Sequence, residues 1–484
     1  MKRLAPALFA LCLAAGALAA PLPATVRQEL KTAGIPQSGV AIVVQEVGKT
    51  RPLLHLNATQ AMNPASTMKL LTTFAALDLI GPAYTWKTEA YLDGELKDGI
   101  LDGNLIIKGY GDPKFTIEQF WLWLAELRSR GLRDIRGDLV LDRSYFDLPP
   151  FDAGAFDNDP VRAYNVGPDA LLLNFNTLRL RYLPNGKALN VVTEPLLEGI
   201  TLDNRLAPQP PGACRDWDDG INVQAHGDSI VLQGGYPGEC GERAHNLSLM
   251  PHTRYIETAF RALWKQLGGT LQGEQRAGIV SAGAQLLSTH RSEPLGSTIR
   301  DINKYSNNVM ARQVFLSLGA TPPFTPPANM ENEAASDSTP VLTGEQLSIA
   351  RSIQTVHDWL SRQQLDYPEL VLENGAGLSR IERISAAHLA TLLQRAAVHP
   401  LSAEFQASLP ILSVDGTMRK RLNGSSASSH AHLKTGSLEG VKTLAGYIRS
   451  KSGREWVVVF FINHPDARSG KAAQDALIEW VQGR

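Results

Sequence analysis

Three short residue sets in this chain carry groups able to act together on a carbonyl. Ser66-Thr67-Met68-Lys69 opens an apolar helical run, Ser306-Asn307-Asn308 lies in INKYSNNVMARQVF, and Lys434-Thr435-Gly436 lies in HLKTGSLEG. At i and i+3 on a helix two side chains share a face, so the Lys69 amine can reach the Ser66 hydroxyl. A serine attacks a carbonyl only when a base takes its proton, and a lysine can be that base only when neutral. Its reference pKa is about 10.4, so work near neutrality needs a downward shift of several units. Burial and a second cation supply such a shift, and Lys434 is the candidate cation. Lys434 would also attract a substrate carboxylate. The Ser66 N–H at the helix start can donate to a developing oxyanion, and the Ser437 N–H, on a strand edge following Thr435 and Gly436, can be the second donor. One such donor is worth about 3 to 4 kcal/mol in other serine hydrolases. Ser306 is suited to relaying a proton to the leaving amine, and Asn308 to holding a substrate amide while contacting Lys69.

Either of the first two sets alone is weak, because a Ser-X-X-Lys or Ser-X-Asn match arises by chance about once or twice in a chain this long. Their order and settings carry the weight: a turn before Ser66, a helix after Ser306, a strand at Lys434. Other candidates are bland. Gly109-Tyr110-Gly111 lacks the Lys-Ser/Thr of a phosphate loop and reads as a turn. His430 and His432 read as strand or loop residues, and no His or Cys set has metal-ligand spacing. The expected chemistry needs no metal or cofactor.

The elements that must hold these groups follow from pattern. Val40 to Val44 is a β-branched strand, and Gly48-Lys49 turns the chain toward a second near Leu53 to Leu56. Asn63-Pro64 marks a turn before a helix over Ser66 to Ile80, ended by Gly81-Pro82. A β-rich stretch follows. Gly103 to Lys108 reads as a strand, and Thr116 with Gln119 forms a capping-box pattern ahead of a helix through Arg130. Leu178 to Tyr182 alternates strictly, and Asn185-Gly186 before Leu189 to Val192 predicts a hairpin with a type I′ turn. A helix spans His252 to Leu267, and helices resume at Leu295. Thr321 to Thr339, rich in Pro, Ala, Ser and Asn, reads as an exposed mobile loop. Three strands follow from Leu433, and a closing helix over Gly470 to Val481 places Ala472, Ala473, Ala476, Leu477 and Trp480 on the face that packs on the sheet.

Lys2 and Arg3, the apolar run Leu4 to Ala19 and the small residues Ala17-Leu18-Ala19 read as a cleaved secretory signal. That apolar run is short of the ~20 residues a membrane helix needs, so stable membrane insertion is not expected. The formal charge of the 484 residues is −1, with no basic run interleaved with aromatics, which argues against nucleic acid. Of the three cysteines, Cys214 and Cys240 remain after cleavage. They are too far apart for a zinc knuckle. In an oxidising compartment they can pair, closing a loop worth roughly 3 to 4 kcal/mol in the loop-entropy model; two buried thiols are the alternative.

Together the three sets are those of β-lactamases and penicillin-binding proteins. The chain resembles one group of these nearly throughout: the class C low-molecular-mass penicillin-binding proteins, the D-Ala-D-Ala carboxypeptidase/endopeptidase family. MNPASTMKLLTTFAAL resembles its nucleophile helix, SEPLGSTIRDINKYSNN its second motif, GNLIIKGYGDP and IRGDLVLDRSYFD segments of its inserted modules, and ENGAGLSRIERIS, residues 373–385, a loop after the second motif. The resemblance implies an α/β (α+β) transpeptidase-like serine hydrolase domain split by two β-rich inserted domains. The expected boundaries are a signal peptide at 1–19, the transpeptidase-like domain at 20–84 and 288–484, inserted domain II at 85–110 and 186–287, and inserted domain III at 111–185. It implies a periplasmic enzyme that forms an acyl-enzyme at Ser66, with Lys69, Ser306, Asn308 and Lys434 in the roles above and Thr435, Gly436 and Ser437 binding substrate. Its partners would be peptidoglycan peptides as substrates and β-lactams as covalent inhibitors. Asp159, in DNDPVRAYN, is a candidate partner for the substrate's side-chain amine, though an ordinary loop aspartate explains it equally well. Two residues depart from the family pattern: Asn374 stands where many members carry Asp, and Arg312 where an acidic residue often follows the second motif. The competing readings are a β-lactamase, for which no clear acidic base lies between the second and third motifs, and a non-catalytic wall-binding or β-lactam-sensing module.

Overall fold

The computed structural model describes residues 21–186, 188–209, 214–319 and 347–484. The expected signal peptide and the loop over Thr321 to Thr339 lie outside the described residues.

The two ends of the chain build one antiparallel sheet. Helix α1 (Ala24–Thr32) leads into strands β1 (Val40–Glu46) and β2 (Leu54–Leu56). The last third adds β3 (Ala431–Leu438), β4 (Val441–Arg449) and β5 (Glu455–Asn463), in the order β3-β4-β5-β1-β2. Successive side chains on a strand point to opposite faces. On one face Ala41, Val43, Ala445, Val459 and Phe461 share a core with Leu70, Leu71 and Phe74 of helix α2 (Lys69–Ile80), Ile299 and Ile302 of α3 (Leu295–Tyr305), and Val314 of α4 (Asn308–Leu318). On the other, Ile42, Val44, Leu444, Val458 and Phe460 pack with Val26 and Leu30 of α1 and with α5 (Lys471–Gln482). Covered on both faces, β1 and β5 are runs of Val, Ile and Phe without polar alternation. β1 lies between β2 and β5, so the sheet joins the beginning of the chain to its last third.

The closing helix corrects the sequence reading by a rotation. Ala473, Gln474, Leu477, Ile478, Val481 and Gln482 are its buried residues, whereas Ala472 is exposed and Ala476 and Trp480 are half-buried. The helix lies against α1 as well as the sheet, so its covered face is set by two neighbours.

Between the halves lies a seven-stranded sheet of Lys87–Lys97, Ile100–Gly109, Asp134–Ile135, Leu139–Asp142, Thr270–Leu271, Gln275–Ala277 and Gln285–Arg291. Helices Ile117–Ser129 and His252–Gln266 share its core. The first begins at the expected capping box of Thr116 and Gln119. Two three-stranded sheets lie within residues 178–247. This pairing departs from two expected boundaries. Ile100–Gly109 pairs in parallel with Leu139–Asp142 across 110/111, the crossover being supplied by helix Ile117–Ser129. Leu178–Asn185 pairs with Ala188–Glu194 across 185/186. The hairpin is present, but Asn185 pairs with Ala188, so positive φ falls on Gly186 and not on Asn185. Cys214 and Cys240 form a disulfide with a Cα–Cα distance of 5.3 Å.

Candidate active site

Ser66 lies in a single 3-10 turn, Ala65–Met68, and the α-helical run begins only at Lys69. The turn is tightly held. Asn63 Oδ1 accepts from the Ala65 N–H at 2.8 Å, its Nδ2 donates to the Ser379 carbonyl at 2.8 Å, and the Pro64 carbonyl accepts from the Thr67 and Thr443 hydroxyls at 2.6 and 2.7 Å. Two glycines let other segments approach. A Cβ on Gly436 would fall 2.8 Å from the Ser66 nitrogen and 2.2 Å from Thr443 Oγ1. At Gly377, with φ +74°, a Cβ would fall 1.9 Å from the Ala65 carbonyl oxygen.

The expected side chains converge here. Lys69 Nζ lies 3.1 Å from Ser66 Oγ and 2.6 Å from Asn308 Oδ1, and it also meets the Ala376 carbonyl. Asn308 reaches it because Ser306 turns left-handed, φ 59°, ending α3, and Asn307 caps α4 by accepting from the Met310 N–H. Lys434, on β3, donates to Ser306 Oγ at 2.8 Å and to the Thr435 carbonyl at 2.7 Å. Thr435 Oγ1 donates to Thr417 Oγ1 at 2.9 Å. β3 is the edge strand of its sheet. Ser66, Ser306, Thr435, Gly436 and Ser437 line one cavity of about 390 Å³.

Both amines are fully buried. Burial first, then repulsion from Lys434 and Arg312, holds Lys69 well below the ordinary lysine range, with Glu382 opposing. Burial brings Lys434 down to about 7. The second cation expected beside Lys69 is therefore joined by a third that sequence reasoning did not place. Arg312, one turn beyond Asn308, is buried, donates to the Val166 carbonyl at 2.7 Å, and is pushed down to about 10 by burial.

Residues 373–385 close over Lys69. Glu382 Oε1 accepts from the N–H groups of Glu373, Asn374 and Gly375 at 3.1, 3.0 and 3.0 Å, while burial raises its carboxyl above the usual range. Asn374 spans the loop, accepting from the Ala376 N–H and donating to the Leu378 carbonyl, both at 2.9 Å. A backbone carbonyl such as that of Ala376 leaves no side-chain signature, and Glu382 is one glutamate among many. The spaced glycines of ENGAGLSR were the available signal. Asp159 does not line the serine cavity; its carboxylate accepts from Arg162 Nε at 2.7 Å, so the ordinary-loop reading describes its contacts. Among the described residues no group of three His, Cys, Asp or Glu is placed to hold a metal ion. No helix among them is long and apolar enough to cross a membrane.

The D-Ala-D-Ala carboxypeptidase 3 (S13) family matches residues 22–483. The chain is 25% identical over 438 residues to D-alanyl-D-alanine carboxypeptidase DacB of Haemophilus influenzae, covering 88% of this chain and 85% of that one. It is 26% identical over 462 residues to D-alanyl-D-alanine carboxypeptidase of Actinomadura sp. (strain R39), covering 91% and 80%. In fold it is similar to the crystal structure of penicillin binding protein 4 (dacB) from Haemophilus influenzae, with TM-score 0.74, 23% identity and coverage of 94% and 99%. With one family spanning the sequence from α1 to α5, this chain belongs to the D-Ala-D-Ala carboxypeptidase 3 (S13) family of serine peptidases.

Proposed function

We propose that Ser66 is the nucleophile of a periplasmic D-Ala-D-Ala peptidase that acts on peptidoglycan stem peptides through an acyl-enzyme, and that β-lactams acylate the same serine. The observation that carries this is the Lys69 amine 3.1 Å from the Ser66 hydroxyl in a fully buried setting. A neutral amine has two N–H donors and one lone pair. Asn308 Oδ1 and the Ala376 carbonyl can take the donors, which leaves the lone pair for the Ser66 proton. Attack on the D-Ala carbonyl then forms a tetrahedral oxyanion held by the Ser66 and Ser437 N–H groups. Ser306, hydrogen-bonded to Lys434, passes a proton to the leaving amine. Lys434 with Thr435 and Ser437 draws in the substrate carboxylate, the peptide lies along the β3 edge, and Asn308 holds its amide. Water releases the acyl group by the reverse path.

A secretory signal at residues 1–19 would deliver the enzyme to the compartment in which Cys214 and Cys240 pair. Asp159 remains a candidate for the substrate's side-chain amine only if Arg162 releases it. The test is Ser66→Ala: labelling by a fluorescent penicillin and release of D-Ala are both lost while the folded state is kept. A variant that still labels would show that another residue is the nucleophile.

A further inference from the structure

The cavity at Ser66 extends beyond the residues that the acylation chemistry uses. Besides the neutral Thr417, Thr443 and Gln474, its lining includes Lys420, Arg421, Lys442 and Lys471. These come from three separate parts of the chain, yet the fold brings them together. Lys442, on β4, is the cross-strand partner of Ser437, so the two side chains share a face of the sheet a few ångströms apart. Lys471 is the first residue of α5, directly after the 3-10 turn Ala467–Gly470, and is exposed. Arg421 is buried and engages Asp475, which leaves little of that carboxylate's charge for the lysines. Lys442 is held below the ordinary lysine range by burial and then by repulsion from Arg421 and Lys471, with Asp475 opposing.

Position fixes what such a wall would meet. The cavity includes Ser306, the proton donor to the departing amine, and Thr435, the carboxylate shelf, but neither Asn308 nor Ala376. It therefore lies on the side of Ser66 from which the amine leaves. A terminal D-Ala leaves with one carboxylate, which Lys434, Thr435 and Ser437 already serve. A D-Ala–diaminopimelate cross-link leaves as a stem peptide whose diaminopimelate and glutamate residues add further carboxylates on the same side.

Building on the Ser66 reading above, we infer that Lys420, Lys442 and Lys471 form a second anion-binding subsite for the leaving peptide, which favours cross-linked peptides over free pentapeptide. The bond cut and the acyl-enzyme are the same for both substrates; the difference is the charge on the departing amine.

The experiment compares wild type with the K442Q/K471Q double variant on monomeric pentapeptide, on cross-linked dimer, and on dimer whose leaving stem keeps the carboxylate beside the departing amine but carries carboxamides in place of its other carboxylates. For the double variant, kcat/KM on the dimer is expected to fall about tenfold, with pentapeptide cleavage and penicillin labelling within about twofold of wild type. The amidated dimer should be slow for wild type and no slower for the variant. Lys471→Gln alone, at an exposed helix start, should give about a threefold loss on the dimer and guards against misfolding of the double variant. Equal losses on dimer and pentapeptide, no loss on the dimer, or a wild type that cleaves pentapeptide but not dimer would each overturn the subsite. A wild type that neither labels nor releases D-Ala would instead overturn the Ser66 reading.

Discussion

At the scale of single side chains, the site rests on two buried amines that must differ in charge. Lys69 lies well below its ordinary pKa and Lys434 at about 7, and the two repel each other. In the mechanism proposed above, acylation requires Lys69 neutral and Lys434 charged. Raising pH first removes the Lys69 proton and raises the rate, then removes the Lys434 proton and lowers it. The profile of kcat/KM for D-Ala release should be bell-shaped, with a falling limb near pH 7 and apparent values that belong to the coupled pair. Lys434→Arg should abolish that falling limb, since guanidinium stays charged, and a pH series on both proteins checks it. Arg312 acts on the other limb. Its charge helps lower Lys69, while Glu382 opposes it, so Arg312→Gln should move the rising limb to higher pH. Penicillin acylation rates between acid and neutral pH read that shift, and an unmoved limb would remove Arg312 from the electrostatics of Lys69.

At the scale of elements, the serine turn is clamped between two glycine-bearing segments. Gly377 combines positive φ with a Cβ position 1.9 Å from the Ala65 carbonyl. Gly377→Ala therefore meets strain and collision at once, and a loss of about 2 to 4 kcal/mol is expected by thermal unfolding. The same substitution should slow penicillin labelling more than the stability loss explains, because it pushes directly on the residue before Ser66. The 373–385 loop also shows how an element acts through its backbone. Three N–H groups on one Glu382 oxygen fix the turn, and the turn presents the Ala376 carbonyl to Lys69.

At the scale of the whole molecule, the catalytic sheet is assembled from both ends of the chain, and the middle has its own core and its own disulfide. Replacing Cys214 and Cys240 by Ala releases a loop of sequence separation 26, which the loop-entropy model values at about 3.5 kcal/mol. That loss should appear as earlier unfolding of the 178–247 sheets, read by hydrogen exchange. Penicillin labelling of Ser66 should be unchanged, since neither cysteine lies in the serine cavity. Loss of labelling in the disulfide-free protein would mean that the two cores unfold as one.

Much of this was legible in residue order alone. Ser66, Lys69, Ser306, Asn308 and Lys434, which the fold brings together, could be singled out as candidates because the proposed chemistry depends on side-chain type at short spacing, and a helix or strand converts short spacing into a shared face. Strands of the five-stranded sheet were legible as well, as the β-branched run Val40 to Val44 and the apolar runs from Leu433 bounded by turns. Tertiary structure alone decided the rest, because those features depend on contacts between distant segments. Arg312 beside Lys69, the Ala376 carbonyl on its amine, the pairing across residues 110/111 and the rotated face of α5 are all set by what packs alongside, which no local pattern records. The cationic wall past Ser306 belongs to this second kind. Its lysines are unremarkable in sequence and become one surface only where the segment after Met418, β4 and the start of α5 meet.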